Sequence, residues 1–263
     1  MSITTTDKSL KADYANRERS LRFGDINLGI VCPMANEGGT AAEFVLEVLE
    51  RCRSYDFRSQ TFFAVVDRAS TDGTIDILEK LKIDQPELVV VWAPGNRNVV
   101  DAYIRGYREA IEANCNWIIE IDAGYSHQPS DLPQFFSKMA EGYDCVFGSR
   151  FCDGGVMEGP AKRRVVSRGG TLLANLLLGT KMKDMTSGFE MFTRSALQQV
   201  LNKGIHSKAH FFQTKIRAHC RRLRLAEVPI HYRVNSDSVN QRVLRDALSN
   251  LWRMVRLRWS GQL

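Results

Sequence analysis

The sequence predicts an α/β fold: a mostly parallel sheet flanked by helices on both faces. Two observations carry that prediction. Through the first 150 residues, short apolar runs alternate with segments of helical period, the pattern of strands joined by crossover helices and covered on both sides. The carboxyl ends of several runs then carry polar and charged residues, and ligands in such sheets bind beyond those ends.

The elements follow in order. INLGIVCP (26–33) opens the series as a buried strand, and GTAAEFVLEVLERC (39–52) follows with helical spacing of its apolar residues. TFFAVVD (61–67) is the second strand and TIDILEKLKI (74–83) its helix. LVVVWAP (88–94) precedes VVDAYIRGYREAIEA (99–113), and WIIEIDA (117–123) precedes the Pro-led PSDLPQFFSKMAEG (129–142). DCVFGSR (144–150) is a further strand. Four ends stand out: Pro33-Met34-Ala35-Asn36-Glu37, Asp67-Arg68, Asp122-Ala123-Gly124 and Gly148-Ser149-Arg150. Turn chemistry alone would account for one such end; four in succession point to a site. No GxGxxG and no GxxxxGK[ST] follows the first strand, so neither a dinucleotide fingerprint nor a P-loop is present. There is no internal repeat and no low-complexity segment.

With 263 residues, 44% of them hydrophobic, the chain can bury one large core or two small ones. Residues 1–25 are polar and read as a loose arm. The six cysteines are scattered without a CxxC pair, which argues against a zinc site and a disulfide framework and for a reduced, cytoplasmic setting. The N-terminal stretch has no apolar core of a signal peptide. The longest apolar stretch, LLANLLLG (172–179), falls short of the roughly 20 residues that span a bilayer, so an integral membrane protein is not expected. Net charge is +6, but residues 241–263 hold five arginines against Asp246, a local +4 that leaves +2 for the 240 residues before them. A nucleic-acid binder would spread its basic charge differently, and none is expected as a partner.

VCPMANE (31–37), VVDRASTDGT (65–74), IDAGYSHQPSDLP (121–133), VFGSRF (146–151), RRVVSRGGTLLANLLLG (163–179), KDMTSGFEMFTR (183–194) and EVPIHYR (227–233) stand in an order that resembles glycosyltransferase family 2. The resemblance covers roughly residues 26–240. It implies a GT-A (Rossmann-like) domain and, within the family, it is nearest the polyprenyl-phosphate hexose synthases typified by dolichol-phosphate mannose synthase. It further implies a nucleotide-diphosphate sugar donor, with GDP-mannose and UDP-glucose the leading candidates, a polyprenyl phosphate acceptor, and Mg²⁺ or Mn²⁺ as cofactor. Residues matching the family's nucleotide positions are Pro33, Asn36, Glu37, Asp67, Arg68 and Ala123. Arg150, Arg164, Ser167 and Arg233 match its acceptor-phosphate positions, and Asp122 and Arg150 its catalytic ones. Asp122 is also the metal ligand.

Several ligand positions depart from the family pattern. Gly124 stands where the second acid of the metal motif belongs. Arg68 and Ala69 replace an acid and a glycine, Ser236 and Val239 replace a glycine and a lysine, and Lys215 stands where many relatives have a glutamate. A single carboxylate should capture a metal weakly without substrate, with the donor pyrophosphate completing the shell. Arg68 has two possible partners, Asp67 and the donor phosphate. Carboxylates at Glu37 and Asp67 can accept from base or ribose, each bond worth roughly 1.5–3 kcal/mol. A phosphomonoester acceptor is already an ionised nucleophile, because its second pKa is about 6. It needs no strong general base but does need cations to position it, for which arginine's bidentate fork is suited. A saccharide hydroxyl acceptor would need a carboxylate base, for which Asp184 or Glu190 would be the candidates. A third reading is a degenerate, non-catalytic nucleotide-sugar-binding subunit. The five histidines show no metal spacing, and His127 reads as structural.

Residues 241–263 form a basic amphipathic helix. Leu244, Leu248, Leu251, Trp252, Val255 and Trp259 share one face at about 100° per residue, opposite Arg242, Arg253 and Arg256. Such a helix either lies on a membrane surface or packs on the domain or a partner chain. The first alternative would place the protein peripherally on the cytosolic membrane face.

Overall fold

The computed structural model describes residues 22–205, 207, 211–234 and 241–263, with the backbone alone for 241–244. Residues 1–21 of the N-terminal arm, His206, His210, Ser236 and Val239, and the side chains of Arg242 and Leu244, lie outside that description. β1 (Asn27–Pro33), β2 (Ser59–Val66), β3 (Leu88–Trp92) and β4 (Trp117–Glu120) pair in parallel in the order β3-β2-β1-β4. Their crossovers are α1 (Ala41–Arg53), α2 (Thr74–Asp84) and α3 (Val99–Glu112). α4 (Leu132–Ala140) leads from β4 to β5 (Cys145–Ser149).

The strands read as uninterrupted apolar runs because both faces of the sheet are covered. Ile30 and Cys32 join a core with Phe44, Val48, Phe135 and Phe136 of α1 and α4. Val31, between them, joins the opposite core with Tyr103 and Tyr107 of α3, as the alternation of a pleated strand requires. On that second face α3 rides very close to the sheet: a Cβ built at Gly106 would lie 2.3 Å from Val31 Cγ1. Gly106→Ala is therefore expected to lower stability by about 1–3 kcal/mol through overpacking, although alanine is the better helix former. Calorimetric Tm, falling by roughly 2–4 °C per kcal/mol, checks it.

The sheet is mixed rather than wholly parallel. β7 (Glu190–Thr193) runs antiparallel between β4 and β5, and β8 (Leu225–Pro229) adds to β5 in parallel, giving seven strands in the order β3-β2-β1-β4-β7-β5-β8. The chain reaches β7 after β6 (Val156–Glu158) and α5 (Ala161–Leu178), and reaches β8 after α6 (Arg194–Lys203) and α7 (Phe211–Cys220). β6 pairs with β9 (His231–Arg233) in a two-stranded ribbon. Register places Glu120 of β4 opposite Glu190 of β7, and both side chains are fully buried. Like charges so placed repel. Arg217 of α7, also fully buried, answers one of them by donating to Glu190 and to the carbonyl of Ser187. Burial, and then the charges of Glu190 and Asp122, hold the Glu120 carboxyl well above its ordinary range.

α8 (Gln241–Trp259) packs on α5 and α7. Leu251, Met254 and Val255 are buried with Ala174, Leu178 and Ala218. Arg258 donates to the carbonyls of Leu176 and Leu177 at 3.4 and 2.9 Å, capping the negative end of α5. The apolar face expected of this helix is thus divided. One flank is core; Leu248, Trp252 and Trp259 remain exposed, as do Val165, Leu172 and Leu176 of α5. No helix among the described residues is long and apolar enough to cross a membrane.

Candidate active site

Two cavities meet at the carboxyl end of β4. One, of about 600 Å³, opens over the ends of β1, β2 and β4 and the loop after β3. The other, of about 300 Å³, runs under α5, α7 and α8. Asp122, Arg163 and Tyr232 line both.

Asp122 follows β4 as the chain turns, and two side chains fix it. The Tyr103 hydroxyl of α3 donates to Oδ1. The backbone N–H of Asp122 donates to Nδ1 of His127 at 3.1 Å. That bond makes Nδ1 an acceptor and leaves the ring proton on Nε2, and burial keeps His127 neutral by lowering its pKa. The ring stacks on Phe189, centroids 5.0 Å apart, so His127 is the structural residue expected and holds the Asp122 turn. Burial, then the charge of Asp122, raises the pKa of Tyr103, so its hydroxyl remains a donor.

In the strand-end cavity, Pro33, Glu37, Asp67 and Ala123 line the wall. Asn36 does not. Its Nδ2 donates to the carbonyl of Ala69 at 2.9 Å and its Oδ1 accepts from the backbone of Thr71 at 2.9 Å, at a left-handed φ of 60°. Asn36 thereby ties the loop after β1 to the loop after β2. Arg68 also lies off the wall and is exposed, and Asp67 Oδ1 accepts from the backbone of Ala69 rather than from Arg68. The loop after β3 contributes Asn96, Arg97 and Asn98, which strand-end reasoning had left out. Asn98 caps α3 by accepting from Val100 and Asp101. The buried amide nitrogen of Asn96 has no partner among the described residues.

Glu37 and Gly124 face each other. Gly124 has φ +65°, and a Cβ built there would lie 2.8 Å from Glu37 Oε2. The Glu37 carboxyl is raised by burial and by the charges of Asp72 and Asp122, against a hydrogen bond from Thr40.

In the second cavity, Arg150 is buried and its fork is engaged. Nε and Nη2 donate to Asp184 at 2.7 and 2.9 Å, and Nη2 also to Thr186 at 2.6 Å. The planar group stands over the rings of Phe151 and Tyr232, leaving Nη1 with no hydrogen bond among the described residues. Ser167 lines this cavity and Arg164 does not; Arg164 is exposed and donates to the carbonyl of Met157 at 2.9 Å. Arg233 is exposed and bound to Glu158 at 3.1 Å. Arg163, which looks in the sequence like a solvated surface arginine, is half-buried between the two cavities and donates to the Tyr232 hydroxyl at 3.4 Å. Its helical phase on α5 decides this, and two adjacent arginines carry no sequence signal of which one turns inward. Asp184 and Glu190 are fully buried and line neither cavity. Among the described residues, no three His, Cys, Asp or Glu side chains come together to hold a metal.

A chamber opens across the ends of the first, second and fourth strands of the sheet, the place where α/β sheets of this kind bind their ligands. Residues 29–201 match glycosyl transferase family 2, and the chain belongs to that family. An undecaprenyl-phosphate mannosyltransferase of Micrococcus luteus is 31% identical over 204 residues, covering 75% of this chain and 84% of that one. A polyprenol monophosphomannose synthase of Mycolicibacterium smegmatis is 28% identical, covering 77% and 76%. Among solved structures, the glucosyl-3-phosphoglycerate synthase of Mycobacterium tuberculosis with Mn²⁺, UDP-glucose and phosphoglyceric acid superposes with a TM-score of 0.65 at 16% identity, covering 97% of this chain and 86% of that one. The mannosyl-3-phosphoglycerate synthase of Rubrobacter xylanophilus gives 0.59 at 19%, covering 95% and 79%. These two establish the shared fold.

Proposed function

We propose that the enzyme transfers a hexose, with inversion, from a nucleotide-diphosphate sugar to a polyprenyl phosphate at a membrane surface. The observation that supports this best is the meeting of two unlike cavities at one carboxylate. The strand-end cavity, with Asp67, Glu37 and the orphan amide of Asn96, suits a nucleotide diphosphate. The other is lined by Val166, Leu173, Leu248 and Leu251, a wall suited to an isoprenoid chain just behind its phosphate.

In this reading Pro33, Asp67 and Ala123 contact the nucleoside, and Glu37 lines the same cavity beside Asp122. Asn36 shapes that wall from behind, and Arg68 lies at its rim. Asp122, with the donor pyrophosphate, would hold Mg²⁺ or Mn²⁺, which neutralises the leaving diphosphate when bound. Arg163, Ser167 and the remaining Nη1 of Arg150 present donors to the acceptor phosphate, with Arg164 and Arg233 as outlying cations. The carboxylates that a hydroxyl acceptor would need as base argue the same way. Asp184 is locked to Arg150, and Glu190 to Arg217. The mannosyl names of the two curated relatives favour mannose over glucose.

Arg163→Lys is expected to cut transfer at least tenfold with donor affinity near wild type, because lysine keeps the charge but loses the fork. Arg164→Lys is expected to stay within about twofold. Initial rates against acceptor concentration, with nucleotide Kd by calorimetry, check both. Equal loss of donor affinity would place Arg163 on the donor.

The exposed apolar residues of α5 and α8 support peripheral membrane attachment, on the cytosolic face. Each added arginine near an anionic surface contributes about 1 kcal/mol, screened by salt. Wild type is expected to pellet with anionic vesicles at low salt and partly release at high salt. A Leu176→Ser, Trp252→Ser, Trp259→Ser variant, whose three changed residues are all exposed, is expected to stay in solution. Equal pelleting would move the contact elsewhere.

A further inference from the structure

The family's second metal acid is missing from the sequence at Gly124, but its place is filled. We infer that Glu37, reaching across from the turn after β1, supplies the carboxylate that Gly124 lacks, so that Glu37 and Asp122 together receive the divalent cation of the donor. This rests on the nucleotide-sugar reading given above and deepens it.

The geometry is specific. Gly124 lies two residues past Asp122 in a turn with φ +65°, and a side chain there would begin only 2.8 Å from Glu37 Oε2, too close for both to stay in place. Glycine at this position therefore does two things: it satisfies a left-handed backbone and it leaves room for a carboxylate from another strand end. Glu37 is not loosely placed. Its backbone N–H donates to Thr74 Oγ1 at 2.9 Å, its carbonyl accepts from Thr40 and Ala41 at the start of α1, and Thr40 Oγ1 holds Oε2 at 3.1 Å. Oε1 makes no hydrogen bond among the described residues. Glu37 and Asp122 line the same cavity. Two carboxylates plus phosphate oxygens and waters make a fuller donor set for Mg²⁺ or Mn²⁺ than Asp122 and the pyrophosphate by themselves. The substitution at Gly124 is thus a relocation of the acid and not its loss.

The test reads metal binding directly. Mn²⁺ bound to wild type in the presence of GDP or of UDP is titrated by electron paramagnetic resonance. Nucleotide Kd is measured calorimetrically with Mn²⁺ and with EDTA. Wild type is expected to bind one Mn²⁺ with one of the nucleotides. Glu37→Gln, which keeps the shape and the Thr40 contact, is expected to weaken Mn²⁺ at least tenfold while nucleotide Kd in EDTA changes less than twofold. Glu37→Ala with Gly124→Asp is expected to recover most of the Mn²⁺ affinity, since aspartate tolerates the left-handed region better than most residues and the clashing carboxylate is gone. Unchanged Mn²⁺ affinity in Glu37→Gln, or equal loss of nucleotide affinity with and without metal, would overturn the metal role and leave the donor reading intact. Failure of wild type to bind either nucleotide would overturn both.

Discussion

Asp122→Asn is expected to abolish transfer, by about a thousandfold or more, without unfolding the protein. Asparagine has the same shape and can still accept from Tyr103, and its backbone N–H can still reach His127. What it loses is the negative charge at the point where the two cavities meet. Metal-assisted neutralisation of a leaving diphosphate is worth several kcal/mol, and about 4 kcal/mol is roughly a thousandfold in rate. Steady-state rates with saturating donor and acceptor measure the loss. Circular dichroism should superpose on wild type, and the Mn²⁺-dependent rise in Tm with nucleotide should vanish. Near-normal transfer in this variant would remove Asp122 from the reaction.

The second large effect is on stability. Asp184→Asn breaks a fully buried pair and leaves the Arg150 guanidinium uncompensated, at an expected cost of about 3–5 kcal/mol. With roughly 2–4 °C of Tm per kcal/mol for a domain of this size, the midpoint should fall by about 6–20 °C. Transfer should fall with it, because Arg150 would lose its orientation over Tyr232. The pair also gives an acid signature. Burial works to raise the Asp184 carboxyl, but the charge and hydrogen bonds of Arg150, helped by Arg217, outweigh it and hold the pKa at about 2. In the unfolded chain it titrates near about 3.9, so over this interval the unfolded state binds more protons and stability rises with pH. The contribution is present above about pH 4 and is lost as pH falls toward 2. Urea midpoints across that range should drop more steeply for wild type than for Asp184→Asn. Parallel curves would show that the pair carries no net charge linkage.

Much of this was legible in the sequence, for identifiable reasons. β1 to β4 announce themselves because a sheet covered on both faces has apolar residues at most positions in succession, and their ends show polar residues because turns and ligands both need them. Asp122 and Asp67 are found this way. Tyr103 is not, because a tyrosine on the buried face of α3 reads as core until its hydroxyl is seen to reach Asp122. Arg163 and Arg164 differ by one helical step of about 100°, and which of them turns toward the cavity depends on how α5 is seated. Arg150 stands out in the sequence at the end of β5, but its partner Asp184 lies 34 residues on, a distance no spacing rule spans. The antiparallel insertion of β7, and with it the opposed Glu120 and Glu190, is a property of tertiary pairing. Gly124 is legible only as a missing acid. That Glu37 occupies the vacated space depends on two strand ends being neighbours in the sheet.

On the proposed function, a nucleotide sugar and an anionic lipid meet at Asp122, one from each cavity. The most direct measurement is transfer by the purified full chain of radiolabelled mannose from GDP-mannose, and of glucose from UDP-glucose, to a short-chain polyprenyl phosphate with Mn²⁺. Methyl mannoside and methyl glucoside serve as competing hydroxyl acceptors. The expected result is an organic-soluble, acid-labile hexosyl-phosphate product from one of the two donors, with inverted anomeric configuration and no label on the glycosides. Label appearing on the glycosides, with none on the lipid phosphate, would contradict it.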